Sequence, residues 1–303
     1  MADDSQPMYT RAMKRIGYAI GAVVLAWAVS GLIMHLGLIR HSVLDVNLDI
    51  PQPQPGERMA NAIAAVMSHE LDSVTGWRPN DFFLWGPKLF ADNNANRQLG
   101  IITAIRESTR VFKDHLTKIS SDQYDPKLFD ADTMFRNDPE KFWFPSAENR
   151  YRRGIADLRD YVAGLHENPQ RSKPLNRRNV ELIRLFQTWS DMLGDAHSSL
   201  YRDDVGFLAT DDVFYHAQGV AHAMYYVLRA VHVEYQPNFV NHAILDTLIE
   251  ECGAALFRAA TLKPLVVLDG SPASLFANHR RNLDAYVNEA RQKMYSIREE
   301  LEK

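Results

Sequence analysis

IGYAIGAVVLAWAVSGLIMHLGLI, residues 16–39, contains no Asp, Glu, Lys or Arg. As an α-helix rising 1.5 Å per residue it is about 36 Å long, against a membrane hydrocarbon layer about 30 Å thick. A core helix of a soluble protein seldom stays apolar on every face for that length. The run therefore reads as a transmembrane helix. Arg11, Lys14 and Arg15 precede it, and Arg40, Asp45 and Asp49 follow. Positive charge collects on the cytoplasmic side, so residues 1–15 read as a cytoplasmic tail and everything past 40 as lying across the membrane. Tyr18 is placed for the cytoplasmic interface. A cleaved signal peptide is the competing reading, because Ala26-Trp27-Ala28 has small residues around a cut site. The apolar run continues past it through Leu32–Ile39, which favours an uncleaved anchor. Gly17 and Gly21 form a small-xxx-small pair that would let two copies of the helix associate.

Moving outward, Pro51-Gln52-Pro53-Gln54-Pro55-Gly56 marks the next boundary. Alternating proline favours extended polyproline II. Residues 40–56 are thus expected to be a semi-rigid linker that lifts residues 57–303 off the membrane. That remainder shows helical periodicity nearly throughout. Helices are expected over Glu57–Val74, Leu99–Ile119, Asn149–Leu165, Asn179–Tyr201, a segment capped by Thr210 and reaching Tyr235, and Phe239–Ala260. Ser271-Pro272 reads as the cap and first residue of a last helix. In it, Leu283, Val287, Ala290, Met294, Ile297 and Leu301 repeat at spacings of four and three, a heptad seam. Packing against the protein's own bundle or against a partner both satisfy such a seam. Leu265-Val266-Val267-Leu268 is the one β-like run, too short to imply a sheet.

Two aromatic stretches resist helical reading. Trp77–Phe90 holds Trp77, Phe82, Phe83, Trp85 and Phe90 broken by Pro79, Gly86 and Pro87, and Lys141-Phe142-Trp143-Phe144-Pro145 is similar. Such loops fill the end of a bundle or meet lipid headgroups, a glycan or a protein partner, with Trp85 and Trp143 as the residues to watch.

Chemistry is thinly signalled. If Asn179–Tyr201 and the helix to Tyr235 pair as a hairpin, His197 falls level with His216 and Asp191 near His222. Asp212 and His216 share a helical face, so His197, Asp212 and His216 are the candidate ligands for zinc or another divalent ion. Asp203-Asp204 and Asp211-Asp212 bracket the intervening turn and offer oxygens for calcium. Helix caps and a core histidine account for the same residues. The Glu-x-x-His pairs of di-iron bundles, the His-Glu-x-x-His zinc helix, the nucleophile elbow, the P-loop and the dinucleotide fingerprint are all absent. No cofactor and no catalytic residue is expected. Cys252, the single cysteine, sits in an apolar run and reads as a small buried hydrophobe.

The chain of 303 residues is 46% hydrophobic and 24% charged, with net charge −4. Residues 1–40 carry four basic and two acidic side chains, which leaves the remainder at −6. A mildly acidic domain is a poor partner for nucleic acid. Within it, residues 148–184 are locally basic. Arg150, Arg152, Arg153, Arg177 and Arg178 are the candidate anion-binding residues, set against a solvated, ion-paired helix face.

The short charged N-terminus, the Ile16–Ile39 helix, Trp77-Arg78-Pro79-Asn80-Asp81, Phe83-Leu84-Trp85 and the Arg152-Arg153 helix together resemble a proteobacterial family filed as domain of unknown function 2333. The resemblance covers most of the chain. It implies a bacterial inner-membrane protein without an assigned activity, with no functional residue to carry over; the charge asymmetry is what places residues 57–303 in the periplasm.

The expectation is an all-α protein: one N-terminal transmembrane helix, then a periplasmic helical bundle with aromatic-rich loops. Its expected role is non-enzymatic, as an adaptor or assembly factor. An envelope protein partner would dock through Trp85, Trp143 or the seam residues Leu283, Val287, Met294 and Ile297. Residues 16–39 would meet inner-membrane lipid, and copies of the chain would associate through the glycine pair. The alternatives are an anionic-ligand or lipid-handling protein using the arginines, and a metal-dependent enzyme around His197 and His216.

Overall fold

A computed structural model describes residues 8–40, 44–117, 124–202, 206, 209–239, 243–264, 266–269 and 277–303. They are nearly all helical: α1 (Met8–Arg40), α2 (Glu57–Asp72), α3 (Lys88–Ala91), α4 (Asn93–Val111), α5 (Pro126–Phe135), α6 (Ala147–Leu165), α7 (Asn179–Tyr201), α8 (Thr210–Tyr235), α9 (Ala243–Ala260) and α10 (His279–Leu301). Among the described residues no strand forms, and Asp269 and Asn278 make an isolated β-bridge. Val266–Leu268 joins no sheet, while Leu265 lies outside the described residues.

Helix α1 is long and apolar enough to cross a membrane. The other helices bury one stripe each, as the periodicity dictates. Helices α4 and α8 are the exceptions, buried on most of their surface. Helix α8 packs against α2, α4, α7 and α9, while α10 closes the bundle over α7 and α9. Helices α4 and α8 cross at glycine: a Cβ on Gly100 would overlap the His216 carbonyl oxygen, and one on Gly219 the Arg97 carbonyl oxygen. The heptad seam of α10 is filled from within, with Leu283, Val287, Ala290, Met294 and Ile297 fully buried.

Several boundaries differ from expectation for local reasons. Helix α4 starts at Asn93 rather than Leu99, because its first turns bury polar side chains (Asn93, Asn94, Arg97, Gln98) that hydropathy passes over. It runs on into a π-helical turn, Phe112–Leu116, where Thr117 N–H donates to Phe112 O at 3.2 Å. The cap of α8 is Ala209, not Thr210, whose hydroxyl donates to the Gly206 carbonyl at 3.2 Å. The cap of α10 is Asn278, whose side chain accepts from Arg281 N–H at 2.9 Å, and Ser271-Pro272 lies outside the described residues. Phe239 itself is not helical, and helix α9 is described from Ala243, with residues 240–242 outside the described residues.

The proline segment is not a free spacer. Gln52 has φ +50 and Gly56 φ +96, so polyproline II breaks twice. Residues 44–56 lie along the bundle instead. Leu44 N–H donates to the Tyr226 hydroxyl at 2.7 Å, Val46 is buried, and Arg58 Nε donates to Leu48 O at 3.0 Å. At the far end Leu175 N–H donates to Pro55 O at 2.9 Å.

Candidate functional site

The end of the bundle nearest α1 gathers the unusual chemistry. It is built from the last turns of α2, the loop Ser73–Pro87, the starts of α4, α6 and α8, and residues 136–146. The second half of α1 reaches it. Gly31 and His35 are buried on one face of that helix, spaced four apart, with His35 only 1% exposed. The His35 ring lies 5.7 Å from Phe90 and 6.2 Å from Tyr215, and Asn93 Nδ2 is 3.2 Å from its Nδ1. Trp27 Nε1 donates to the Phe83 carbonyl at 3.3 Å. Gly86, at φ +151, comes so close to Gly31 that a side chain on either would strike the other's backbone.

The two aromatic stretches are tied to each other. Trp77 Nε1 donates to Pro139 O at 2.8 Å, and Asn80 Nδ2 donates to Lys141 O at 3.3 Å and to Glu148 at 3.1 Å. Trp77 is buried edge-on to Tyr151. Trp85 stays exposed beneath the Arg78 guanidinium, 5.2 Å from its ring centre, and donates to Asp81 at 3.3 Å. Phe83 is 58% exposed, Trp143 72% and Phe144 90%.

Of the five candidate anion-binding arginines, three are engaged. Arg177 meets the buried Glu234 at 2.9 Å, Arg178 approaches Glu181 at 3.8 Å, and Arg152 holds Asp72 at 2.6 Å. Arg150 and Arg153 differ: with Phe144, Pro145 and Asn149 they line a groove of about 580 Å³. The nearest partner of Arg150 is Met134 Sδ at 3.9 Å, and its Nε is buried without an acceptor among the described residues.

The candidate metal ligands are not brought together as a set. His197 Nδ1 pairs with Asp284 at 2.6 Å. Asp212 accepts from Asn96 at 2.6 Å and Lys88 at 3.3 Å, and shares a 200 Å³ cleft with His216. Among the described residues no group of three or more His, Cys, Asp or Glu is placed to hold a metal. Asp203 and Asp204 lie outside the described residues. Asp191 is exposed, while His222 is fully buried. Burial of Cys252 pushes its thiol pKa up, and Sγ donates to Ala290 O at 3.7 Å.

Two polar clusters escaped the sequence reading. In the first, Arg97 grips Glu70 at 2.9 and 3.0 Å and reaches the His222 ring at 3.3 Å, with Gln98 donating to Glu70 at 3.1 Å; all four are buried. Burial, then the charge of Arg97, holds His222 well below the usual histidine range. In the second, Asp92 is buried beside Asp211 and Asp212 with neither carboxylate oxygen accepting a hydrogen bond. Burial, then repulsion from Asp212 and Asp211, pushes its pKa up to about 8. The same causes push Asp211 to about 6. Protonated, Asp92 becomes a donor to Asp212. The sequence signal for the first cluster was faint: Glu70 interrupts the apolar stripe of α2 between Met67 and Leu71.

These features define an all-α protein with one helix long and apolar enough to span a membrane, joined to a bundle through that helix's second half. A family model described as an uncharacterized protein conserved in bacteria, DUF2333, matches residues 12–206 and 195–303. The chain belongs to that bacterial family. No curated protein and no solved structure matches it.

Proposed function

We propose that this chain is a non-enzymatic adaptor or assembly factor of the bacterial envelope. Helix α1 crosses the inner membrane with its N-terminus in the cytoplasm, and the bundle stands in the periplasm, where it binds other envelope proteins. The supporting observation is the seam between α1 and the bundle: Trp27 to Phe83, Gly31 against Gly86, His35 among Phe90, Tyr215 and Asn93. A domain seated on its own anchor presents constant faces at a constant height, which suits holding a second protein in register with the bilayer. The same seam favours an uncleaved helix, since a cut after Ala28 would remove Trp27. The charge asymmetry of Arg11, Lys14 and Arg15 supports the orientation.

In-cell photocrosslinking of the full chain, read by mass spectrometry, tests the role. The expected result is one envelope protein captured reproducibly near stoichiometry. A bundle that captures no reproducible partner from several surface positions defeats the adaptor reading. An intact N-terminus in purified membranes, with a cysteine at Asn168 labelled from the periplasmic side, is the expected topology result.

A further inference from the structure

Large exposed side chains gather where the bundle meets α1. Phe83, Leu84 and Trp85 project from one loop, and Phe142, Trp143 and Phe144 from the loop hydrogen-bonded to it. Solvent-exposed aromatic clusters of this size mark an interaction surface. Its position along α1 identifies the partner. Trp27 and Gly31 lie about 17 and 23 Å along the helix from Ile16, inside a hydrocarbon layer about 30 Å thick. Phe83 and Gly86 touch those two residues, so they share that depth.

Backbone placed in hydrocarbon is costly unless hydrogen-bonded, and much of this loop's is paired. Phe82 N–H donates to Arg78 O, Leu84 N–H to Asp81 O and Trp85 N–H to Phe82 O, all at 3.0 Å, while Phe83 O accepts from Trp27. Next to the second loop, Arg150 and Arg153 face the groove bordered by Phe144 and Pro145. Guanidinium beside aromatic surface matches the layer where lipid phosphate passes into acyl chain.

We infer that the bundle carries a second membrane contact, in which Phe83 and Leu84 insert among the acyl chains of the leaflet on the bundle's side while Trp85, held by Arg78 and Asp81, stays toward the headgroups. Phe142, Trp143 and Phe144 rest at the interface, and Arg150 and Arg153 bind phospholipid phosphate. The inference rests on reading α1 as a membrane anchor. It makes the arginines part of a headgroup site and the aromatic loops a lipid surface.

The test uses the full chain with Cys252→Ser, reconstituted in phosphatidylethanolamine–phosphatidylglycerol nanodiscs. An environment-sensitive fluorophore is placed by cysteine at Phe83, Trp143, Val24 or Asn168. Doxyl-labelled lipid should quench the probe at Val24 and Phe83 strongly, at Trp143 partly and at Asn168 not at all. Quenching at Val24 with none at Phe83 and Trp143 overturns the second contact and leaves the anchor standing. No quenching at Val24 overturns the anchor itself. Probes at Phe83 and Trp143 that are shielded from aqueous iodide yet unquenched by lipid would mean a protein covers the surface, which also overturns the inference. Arg150→Gln with Arg153→Gln should reduce quenching at Trp143 and spare Phe83, whereas unchanged quenching at both removes the arginines from the site.

Discussion

Gly31 of α1 and Gly86 of the aromatic loop pack backbone to backbone, a Cβ on Gly31 lying 3.1 Å from both the Gly86 Cα and the Pro87 Cδ. Gly86 is needed as glycine, both for its φ of +151 and because a Cβ there would overlap the Gly31 backbone, while at Gly31 a Cβ would be tight and a larger side chain would not fit. Gly31→Leu should destabilise the full chain in detergent by about 1–3 kcal/mol, the usual cost of overfilling a packed contact. It should also abolish a crosslink engineered between positions 27 and 83. Retention of that crosslink at wild-type yield would show that the seam does not depend on the glycine contact.

The crossing of α4 and α8 is tighter. Gly100→Ala or Gly219→Ala drives a methyl into a carbonyl of the facing helix, and main chain yields less readily than side chain. Each should lower stability by about 3 kcal/mol, the upper part of the range for overpacked cores. Denaturant titration of the detergent-solubilised chain measures it, and a loss under 1 kcal/mol would mean the helices sit further apart.

Glu70 and Arg97 form a buried pair in which Arg97 Nη1 reaches both Glu70 carboxylate oxygens. Removing either partner strands a charge, at a cost of about 3–5 kcal/mol. Arg97→Met should therefore be severely destabilising alone, and Arg97→Met with Glu70→Leu should recover most of the loss, since an apolar pair of similar volume leaves no orphaned charge. If the double variant is as unstable as the sum of the singles, the pair is not coupled.

Stability should respond to pH through two groups of opposite sign. Asp92 has a folded pKa of about 8, above its unfolded value near 3.9. The folded state keeps a proton that the unfolded chain has lost, so stability falls as pH rises between those values, by at most about 1.4 kcal/mol per unit, and levels off above pH 8. Asp211, raised to about 6, adds to the lower part of that window. Asp92→Asn should match wild type only below about pH 3.9 and exceed it by a margin that grows up to about pH 8. His222 is held neutral by burial, so stability is lost as pH falls through the unfolded value near 6.5. His222→Asn should flatten that acid limb. Paired melting curves across pH check both, and identical wild-type and Asp92→Asn stabilities in alkali would mean Asp92 is not protonated in the fold.

Much of this fold was legible because apolar periodicity and local capping are one-dimensional. Asn179–Tyr201 and the C-termini at Leu165, Tyr235 and Ala260 fall where the sequence places them. The misreadings share one cause: tertiary partners override local preference. Asn93 to Gln98 look like a polar connector until Glu70, Thr75 and His222 arrive as hydrogen-bond partners. The proline run favours an extended spacer until Tyr226 and Leu175 hold it down. Likewise Arg150 and Arg177 are equivalent in composition, and Glu234, 57 residues from Arg177, separates their fates. The aromatic loops were visible as anomalies, but their contact with α1 depends on the approach of Gly31 to Gly86, which spacing does not encode.

The docked segment after α1 imposes an order in time. Leu44 finds its partner only at Tyr226, 182 residues later, and Pro55 waits for Leu175. Synthesis at roughly 5–20 residues per second leaves that stretch without its seat for on the order of ten seconds or more. During that interval residues 44–56 have no seat, and chaperones and proteases can reach them. A strap made among the first parts of the chain is fastened only when its eighth helix exists.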